Sequence, residues 1–112
     1  MIESILIDYL TGVLNVPVYV MLPDELPTGN FIVLDRIGTY KTNHVTTYEM
    51  ALQSYGDTAL DAATLNDAVI GAMDDFVVLD SVARSHLETA QMRTDITRKR
   101  PRYQCTYEIT MM

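Results

Sequence analysis

The residue pattern near the end of the chain restricts the fold most, because apolar and polar side chains alternate strictly there. The apolar positions are Tyr103, Cys105, Tyr107, Ile109 and Met111, and a polar residue stands between each pair. A period of two places successive side chains on opposite faces of a β-strand. Residues 47–55 show the same period. The sequence therefore predicts two half-buried strands of the kind found in antiparallel sheets.

Two other segments have the spacing of amphipathic helices. In residues 2–14 the apolar side chains recur every three or four positions, and Pro17 prevents the helix from continuing. A second helix is predicted after Gly56, with Asp57 as its N-cap. It is expected to end near residues 74–75, and its apolar stripe consists of Leu60, Leu65, Ala68, Val69, Ala72, Met73 and Phe76.

The remaining segments are assigned as strands and loops. Residues 17–20 are predicted to be a short edge strand because they start at a proline, and residues 21–30 a loop stiffened by two prolines. The four apolar residues at 31–34 indicate a strand covered on both faces, by a helix on one side and a partner on the other. Residues 39–46 are polar and predict a hairpin with a long tip. Residues 82–96 have mixed alternation and are also expected to be β.

The order of these elements is α-β-β-β-α-β-β. It predicts an α+β fold in which two helices pack on one face of a mostly antiparallel sheet. With 112 residues, the chain is long enough for one domain and too short for two ordinary ones. We therefore expect a single α+β domain over residues 1–112.

Charge is divided unevenly along the chain. Residues 1–80 hold 12 carboxylates and two basic residues, a net charge of −10, whereas residues 81–112 hold three carboxylates and six basic residues, a net charge of +3. General DNA binding needs many phosphate contacts, which an acidic chain with one basic segment does not offer. The pattern favours a body whose parts attract one another, or attract a second copy.

Composition argues against several classes of protein. Cys105 is the only cysteine, so neither an intrachain disulfide nor a cysteine-based metal cluster is expected. No run of about 18 apolar residues occurs, so no membrane span is predicted. The N-terminal Met-Ile-Glu-Ser has no basic region and no cleavage pattern, which argues against a signal peptide. The chain is expected to act, or to be assembled, in a reducing interior.

The residues that carry chemistry in other proteins form no catalytic pattern here. His86 and Glu88 stand two positions apart on a predicted strand, which supplies two metal ligands at best, and His44 lies in a predicted loop. Cys105 lies among apolar positions, where burial makes a thiol inert. Neither a Gly-x-Ser-x-Gly hydrolase motif nor a glycine-rich phosphate loop occurs. We expect a protein without catalytic activity, metal or cofactor.

A basic turn is the sharpest local feature. Within five positions it carries four cations, which are Arg98, Lys99, Arg100 and Arg102. These charges repel one another and need solvent or an acidic partner. One interpretation is a solvated hairpin tip. The other is an inter-subunit contact with the acidic part of another copy, which is a head-to-tail contact that closes into a ring when the rotation permits.

Several segments follow one another in a recognisable order. After the amphipathic first helix come Val-Tyr-Val at 18–20, Gly-Asn-Phe-Ile-Val-Leu at 29–34, Tyr-Gly-Asp at 55–57 and Arg-Tyr-Gln-Cys-Thr-Tyr-Glu-Ile at 102–109. In this order, and in a chain of this size, they resemble the small tail terminator, or tail completion, proteins that join tail to head in long-tailed bacteriophages. The same fold is similar to that of head-completion and tail-tube components.

The resemblance implies a structural role. Such proteins form a hexameric ring on a completed tail tube, stop its polymerisation and join the head connector, and their fold is an α+β sheet packed by two helices. The implied partners are other copies of the chain, the tail tube protein and the head connector protein, while DNA passes through without specific binding. The implied location is the head-proximal end of the tail in the virion, after assembly in the host cytoplasm.

Two surfaces are candidates for assembly under this resemblance. A lumen lined with carboxylates would repel DNA phosphate. The candidates for a lumen-facing or tube-facing loop are the hairpin-tip residues Lys41, Thr42, Asn43, His44 and Val45, and the basic turn is the candidate for the inter-subunit contact. An alternative of another class is a small non-enzymatic α+β module that binds a ligand or regulates a partner, as a dimer.

Overall fold

Two helices and a five-stranded sheet make up the protein in the computed structural model, which describes residues 1–76, 82–92 and 100–111. The predicted order α-β-β-β-α-β-β and the α+β class are confirmed. The elements are α1 (Ile2–Leu14), β1 (Val18–Tyr19), β2 (Phe31–Thr42), β3 (Val45–Tyr55), α2 (Ala59–Asp74), β4 (Val82–Met92) and β5 (Arg102–Met111). In the part of the chain that is described, no helix is both long and apolar enough to cross a membrane.

The strands form one sheet in the order β1-β2-β3-β5-β4. β1 runs parallel to β2, and the other neighbouring pairs are antiparallel. The last strand of the chain is therefore a central strand of the sheet, between β3 and β4. This position accounts for its strict alternation, because one face of a central strand packs on the helices along its whole length.

Both helices contribute to a single core on one face of the sheet. α1 buries Ile2, Leu6 and Leu10, and α2 buries a stripe that includes Val69 and Met73. The strands supply the opposing side chains, among them Met50, Leu52, Cys105, Tyr107 and Ile109. The predicted α2 stripe is wrong at two positions, since Leu60 is 76% exposed and Ala68 is exposed.

A smaller apolar cluster lies on the opposite face of the sheet. Phe31, Val33 and Tyr55 are buried there, and Leu22 and Leu26 pack against them. All four residues at 31–34 are buried, as their sequence predicted. The expectation that a partner covers the second face is wrong, because the chain's own loop at residues 21–30 covers it.

The β2–β3 hairpin is longer and its turn shorter than the polar composition of residues 39–46 predicted. β2 continues to Thr42, β3 begins at Val45, and the pairing is unbroken from Gly38 to the turn. Asn43 and His44 form the turn with φ values of 52° and 68°. Positive φ at both central residues is the geometry that matches the twist of two-residue hairpins. The long tip was wrongly predicted because cross-strand pairing outweighs local composition.

The start of α2 also differs from the prediction. Thr58, and not Asp57, is the N-cap, and its hydroxyl accepts a hydrogen bond from the Asp61 N–H at 3.1 Å. Asp57 lies one residue before the cap, where its carboxylate is free to bind elsewhere. It accepts a hydrogen bond from the Gly29 N–H and pairs with Arg100.

Candidate functional site

The Arg100 side chain donates hydrogen bonds to three backbone carbonyls in two segments of the chain. Its Nε donates to the Gly56 carbonyl at 3.2 Å, Nη1 to the Pro27 carbonyl at 2.8 Å and Nη2 to the Gly29 carbonyl at 3.1 Å. The side chain is 17% exposed. A guanidinium presents its donors in a fixed planar fork. Arg100 therefore fastens the loop at residues 21–30 to the junction between β3 and α2.

Asp57 completes this network from the other side. Its Oδ1 lies 3.2 Å from Arg100 Nη2, and both carboxylate oxygens accept a hydrogen bond from the Gly29 N–H at 3.1 Å. Gly29 has a φ of 80°, which glycine adopts without strain. The Arg100 guanidinium also lies 5.5 Å from the centre of the Phe31 ring. The sequence did not predict this network, because nothing in it distinguishes Arg100 from the other three cations of the basic turn.

Two of the four cations of the predicted basic turn, Arg100 and Arg102, lie within the described residues. Arg100 lies in the intrachain network, and Arg102 donates from Nη1 to the Tyr55 hydroxyl at 3.2 Å, with its guanidinium 5.8 Å from the ring centre. Arg98 and Lys99 lie outside the described residues. The inter-subunit contact of this turn stays a prediction, and its two described members, Arg100 and Arg102, both have partners within the chain.

The hairpin tip lies at the other end of the same strands. Lys41, Thr42, Asn43 and His44 are exposed, and Val45 is half-buried. With Thr46, the first four line an open polar concavity of about 320 Å³. An 11-residue strand rises about 3.3 Å per residue. The two predicted assembly surfaces are therefore separated by roughly 35 Å along the hairpin.

Carboxylates gather on the sheet face opposite the helices. Glu49 lies directly across from Glu108 in the β3–β5 register, and Glu108 lies across from His86 in β4. Glu88 stands beside them where the β4 register shifts. Burial and the charges of Glu49 and Glu108 raise the pKa of Glu88, while His86 opposes them. No group of three or more metal-binding side chains occurs in the described ranges.

Replacing Glu88 by glutamine is expected to stabilise the protein slightly at neutral pH. A raised pKa in the folded state means that the fold disfavours the charged carboxylate. The gain should be below about 0.5 kcal/mol, because the side chain is exposed. It should be present above the folded pKa and vanish as the pH falls through it. Urea unfolding across this range, with Asp8→Asn on α1 as the charge-matched control, measures the difference.

Cys105 lies in the core, as predicted. It is fully buried, and burial raises the pKa of its thiol to about 12. We therefore expect no reaction with a thiol-specific disulfide reagent at mildly alkaline pH in the folded protein, and complete reaction in denaturant. Rapid labelling of the native protein would contradict this assignment.

Tyr107 is a further buried polar group that the alternation alone did not reveal. Its hydroxyl lies 3.2 Å from the Ile70 carbonyl and 3.1 Å from Asp74 Oδ1. Burial, with Asp74 nearby, raises its pKa well above the usual range. The contact attaches the end of α2 to the centre of β5. Its role is structural, since both acceptors lie in the adjacent helix.

An apolar groove of about 340 Å³ lies between the start of α1 and the edge of β2. Its apolar wall is formed by Met1, Ile7 and Val20, and the Glu3–Arg36 ion pair stands at its side. The Arg36 hydrogen bonds lower the pKa of Glu3. In the sequence Ile7 directly follows two apolar residues, Ile5 and Leu6, and this additional apolar position in the first helix was the available signal for the groove.

No model of a protein family matches the chain, and no curated protein matches it in sequence.

Proposed function

We propose that the protein is a structural virion component that forms a ring at the head-proximal end of a bacteriophage tail tube. There it ends tube polymerisation and joins the tail to the head connector. The observation that carries the proposal is the fold, in which two helices cover one face of a mostly antiparallel sheet in the order α-β-β-β-α-β-β. This is the architecture that the resemblance to tail terminator proteins implied.

The charge distribution supports the proposal. Glu49, Glu88 and Glu108 lie together on the face that the helices leave open, within a chain of net charge −7. In a ring with this face toward the lumen, every copy adds a group of carboxylates. Such a lumen repels phosphate and lets DNA pass without specific binding.

We assign one proposed partner to each end of the hairpin. The exposed tip at residues 41–45 is proposed to contact the tail tube protein or to face the lumen, and the opposite end of the sheet is directed to the head connector protein. The ring is proposed to be hexameric and to be assembled in the host cytoplasm before it becomes part of the virion.

Electron microscopy of the protein alone and mixed with purified tail tubes tests the proposal. Rings in isolation, or tubes capped at one end, support it. A Lys41→Glu/His44→Glu variant is expected to lose capping while it keeps its fold. The control is Leu60→Glu on the exposed face of α2, and this variant should cap the tubes normally. Clean dimers that leave the tubes uncapped would contradict the proposal.

The apolar groove favours a second candidate function. A small dimeric module that binds an apolar ligand would use the wall of Met1, Ile7 and Val20, with the Glu3–Arg36 pair as its polar feature. This candidate predicts dimers in solution and a thermal stabilisation by apolar ligands that an Ile7→Lys variant abolishes. The ring predicts neither result.

A further inference from the structure

Among the described residues, the two edge strands of the sheet have no second neighbouring strand over most of their length. β1 pairs with β2 only at Ile32 and Val33, so residues 34–42 have no strand on that side among the described residues. Residues 35–37 and 39–42 are exposed. β4 (Val82–Met92) forms the other edge, and β5 is its single neighbour in the described sheet. Open edges present unpaired backbone donors and acceptors that pair readily with another strand.

The directions of the two edge strands allow antiparallel pairing between copies, and their lengths are similar. β2 and β4 run in opposite directions, because each antiparallel step from β2 through β3 and β5 to β4 reverses the strand. A second copy placed beside the first therefore offers its β2 edge antiparallel to β4, with the helices on the same face. Residues 34–42 span roughly 30 Å, and β4 is slightly longer. Neither strand contains proline, which natural edges often use to block pairing.

The side chains at the two edges also match. Leu87 lies opposite Tyr107 and Ala90 opposite Cys105, so both lie on the helix side of the sheet, as does the half-exposed Met92. On the same side of the β2 edge lies the apolar groove beside Arg36. Pairing β4 with β2 of a second copy would bring this apolar row to the groove.

Charge permits the same approach. The β2 edge carries one acid, Asp35, and one base, Lys41, besides the Glu3–Arg36 ion pair. β4 carries one base, Arg84, and one acid, Glu88. The two edges are therefore nearly neutral regions of an acidic protein, where copies meet with least repulsion. Register shifts in β2 and β4 add local bending, which a sheet that closes on itself needs.

We propose that β4 of one copy pairs antiparallel with residues 34–42 of a second copy, so that the sheet continues from subunit to subunit. The contact is head-to-tail, since two different edges meet, and repeated contacts close into a ring or extend into a filament. The inference rests on the proposed function only where it takes the repeated contacts to close into a ring.

Cross-linking tests the pairing, and Cys105 does not interfere because it is fully buried. Asp35→Cys places a thiol on the β2 edge and Thr89→Cys places one on β4, and both positions lie on the sheet face opposite the helices. With a short bis-maleimide, a mixture of the two variants is expected to give cross-linked dimers, and the double variant a ladder up to the closed ring. Each variant alone should stay uncross-linked. Dimers from either one alone would show twofold pairing and overturn the proposal.

Ala90→Lys puts a charge where the apolar groove of the second copy is expected. We expect the dissociation constant for self-association to rise at least tenfold, with the melting temperature unchanged. Leu60→Lys, on the exposed face of α2, is the matched control and should self-associate normally.

The outcomes separate this inference from the proposed function. Edge cross-links without tube capping support the pairing and overturn the tail function. Assembly or capping without edge cross-links overturns the pairing alone. Absence of self-association, both free and on tail tubes, overturns both.

Discussion

Replacing Arg100 by alanine is expected to lower the free energy of unfolding by about 3 kcal/mol. The substitution removes the donors to three backbone carbonyls, those of Pro27, Gly29 and Gly56. It also removes the cation above the Phe31 ring. A charged donor is worth more than a neutral one, and the carbonyls it leaves are partly shielded from water. Urea unfolding followed by circular dichroism measures the loss.

The hydrogen bonds to carbonyls, and not the ion pair, should dominate this effect. Asp57 is 56% exposed, so solvent screens its attraction to Arg100. Asp57→Asn should therefore cost less than about 1 kcal/mol. Arg100→Lys should recover only part of the loss, because an ammonium group lacks the planar fork. Lys41→Ala, at the exposed hairpin tip, is the control for loss of a cation and should be nearly neutral. Equal losses for Arg100→Ala and Lys41→Ala would contradict the network.

The Arg100 network also changes the interpretation of the uneven charge distribution along the chain. The excess of +3 in residues 81–112 first indicated a basic surface for a neighbouring subunit. One of its cations, Arg100, instead faces the chain's own loop and Asp57. Intrachain attraction and inter-subunit attraction were both compatible with the linear pattern, since sequence distance does not reveal which acidic group lies nearby.

Local pattern was sufficient for the elements of the fold. The alternation at residues 103–111 and 47–55 predicted β5 and β3, and the stripe at residues 2–14 predicted α1 with its bounds. Each of these signals depends on one buried face, which imposes its period on the sequence whatever the rest of the chain does.

Long-range arrangement was not predictable in the same way. The position of β5 between β3 and β4 depends on contacts across the whole chain. The loop over Phe31 and Tyr55 replaces the partner that the apolar run suggested. At the tip, Asn43 and His44 accept positive φ because the strands on either side pair up to them. In each case contacts between distant segments determine the structure, and local composition is compatible with more than one arrangement.

Replacing Gly56 by alanine is expected to destabilise the fold by roughly 2–3 kcal/mol. A Cβ at this position would lie 2.6 Å from the backbone N of Ala62 and 2.8 Å from the Asp61 Cβ. Both belong to the first turn of α2, whose start is fixed by the Thr58 cap and by Arg100 on the Gly56 carbonyl. Since backbone cannot move aside as a flexible side chain does, the helix must shift as a unit or the junction must open.

The chain supplies its own control in Gly12, in the interior of α1. A Cβ there meets nothing within 4 Å. Gly12→Ala should therefore stabilise the protein by about 0.5–1 kcal/mol, because alanine has less backbone freedom to lose on folding. Opposite signs for one chemical change, measured by urea unfolding in parallel, separate the steric effect of the β3–α2 junction from any general effect of glycine replacement. If Gly56→Ala were neutral, the close approach of α2 to this junction would be disproved.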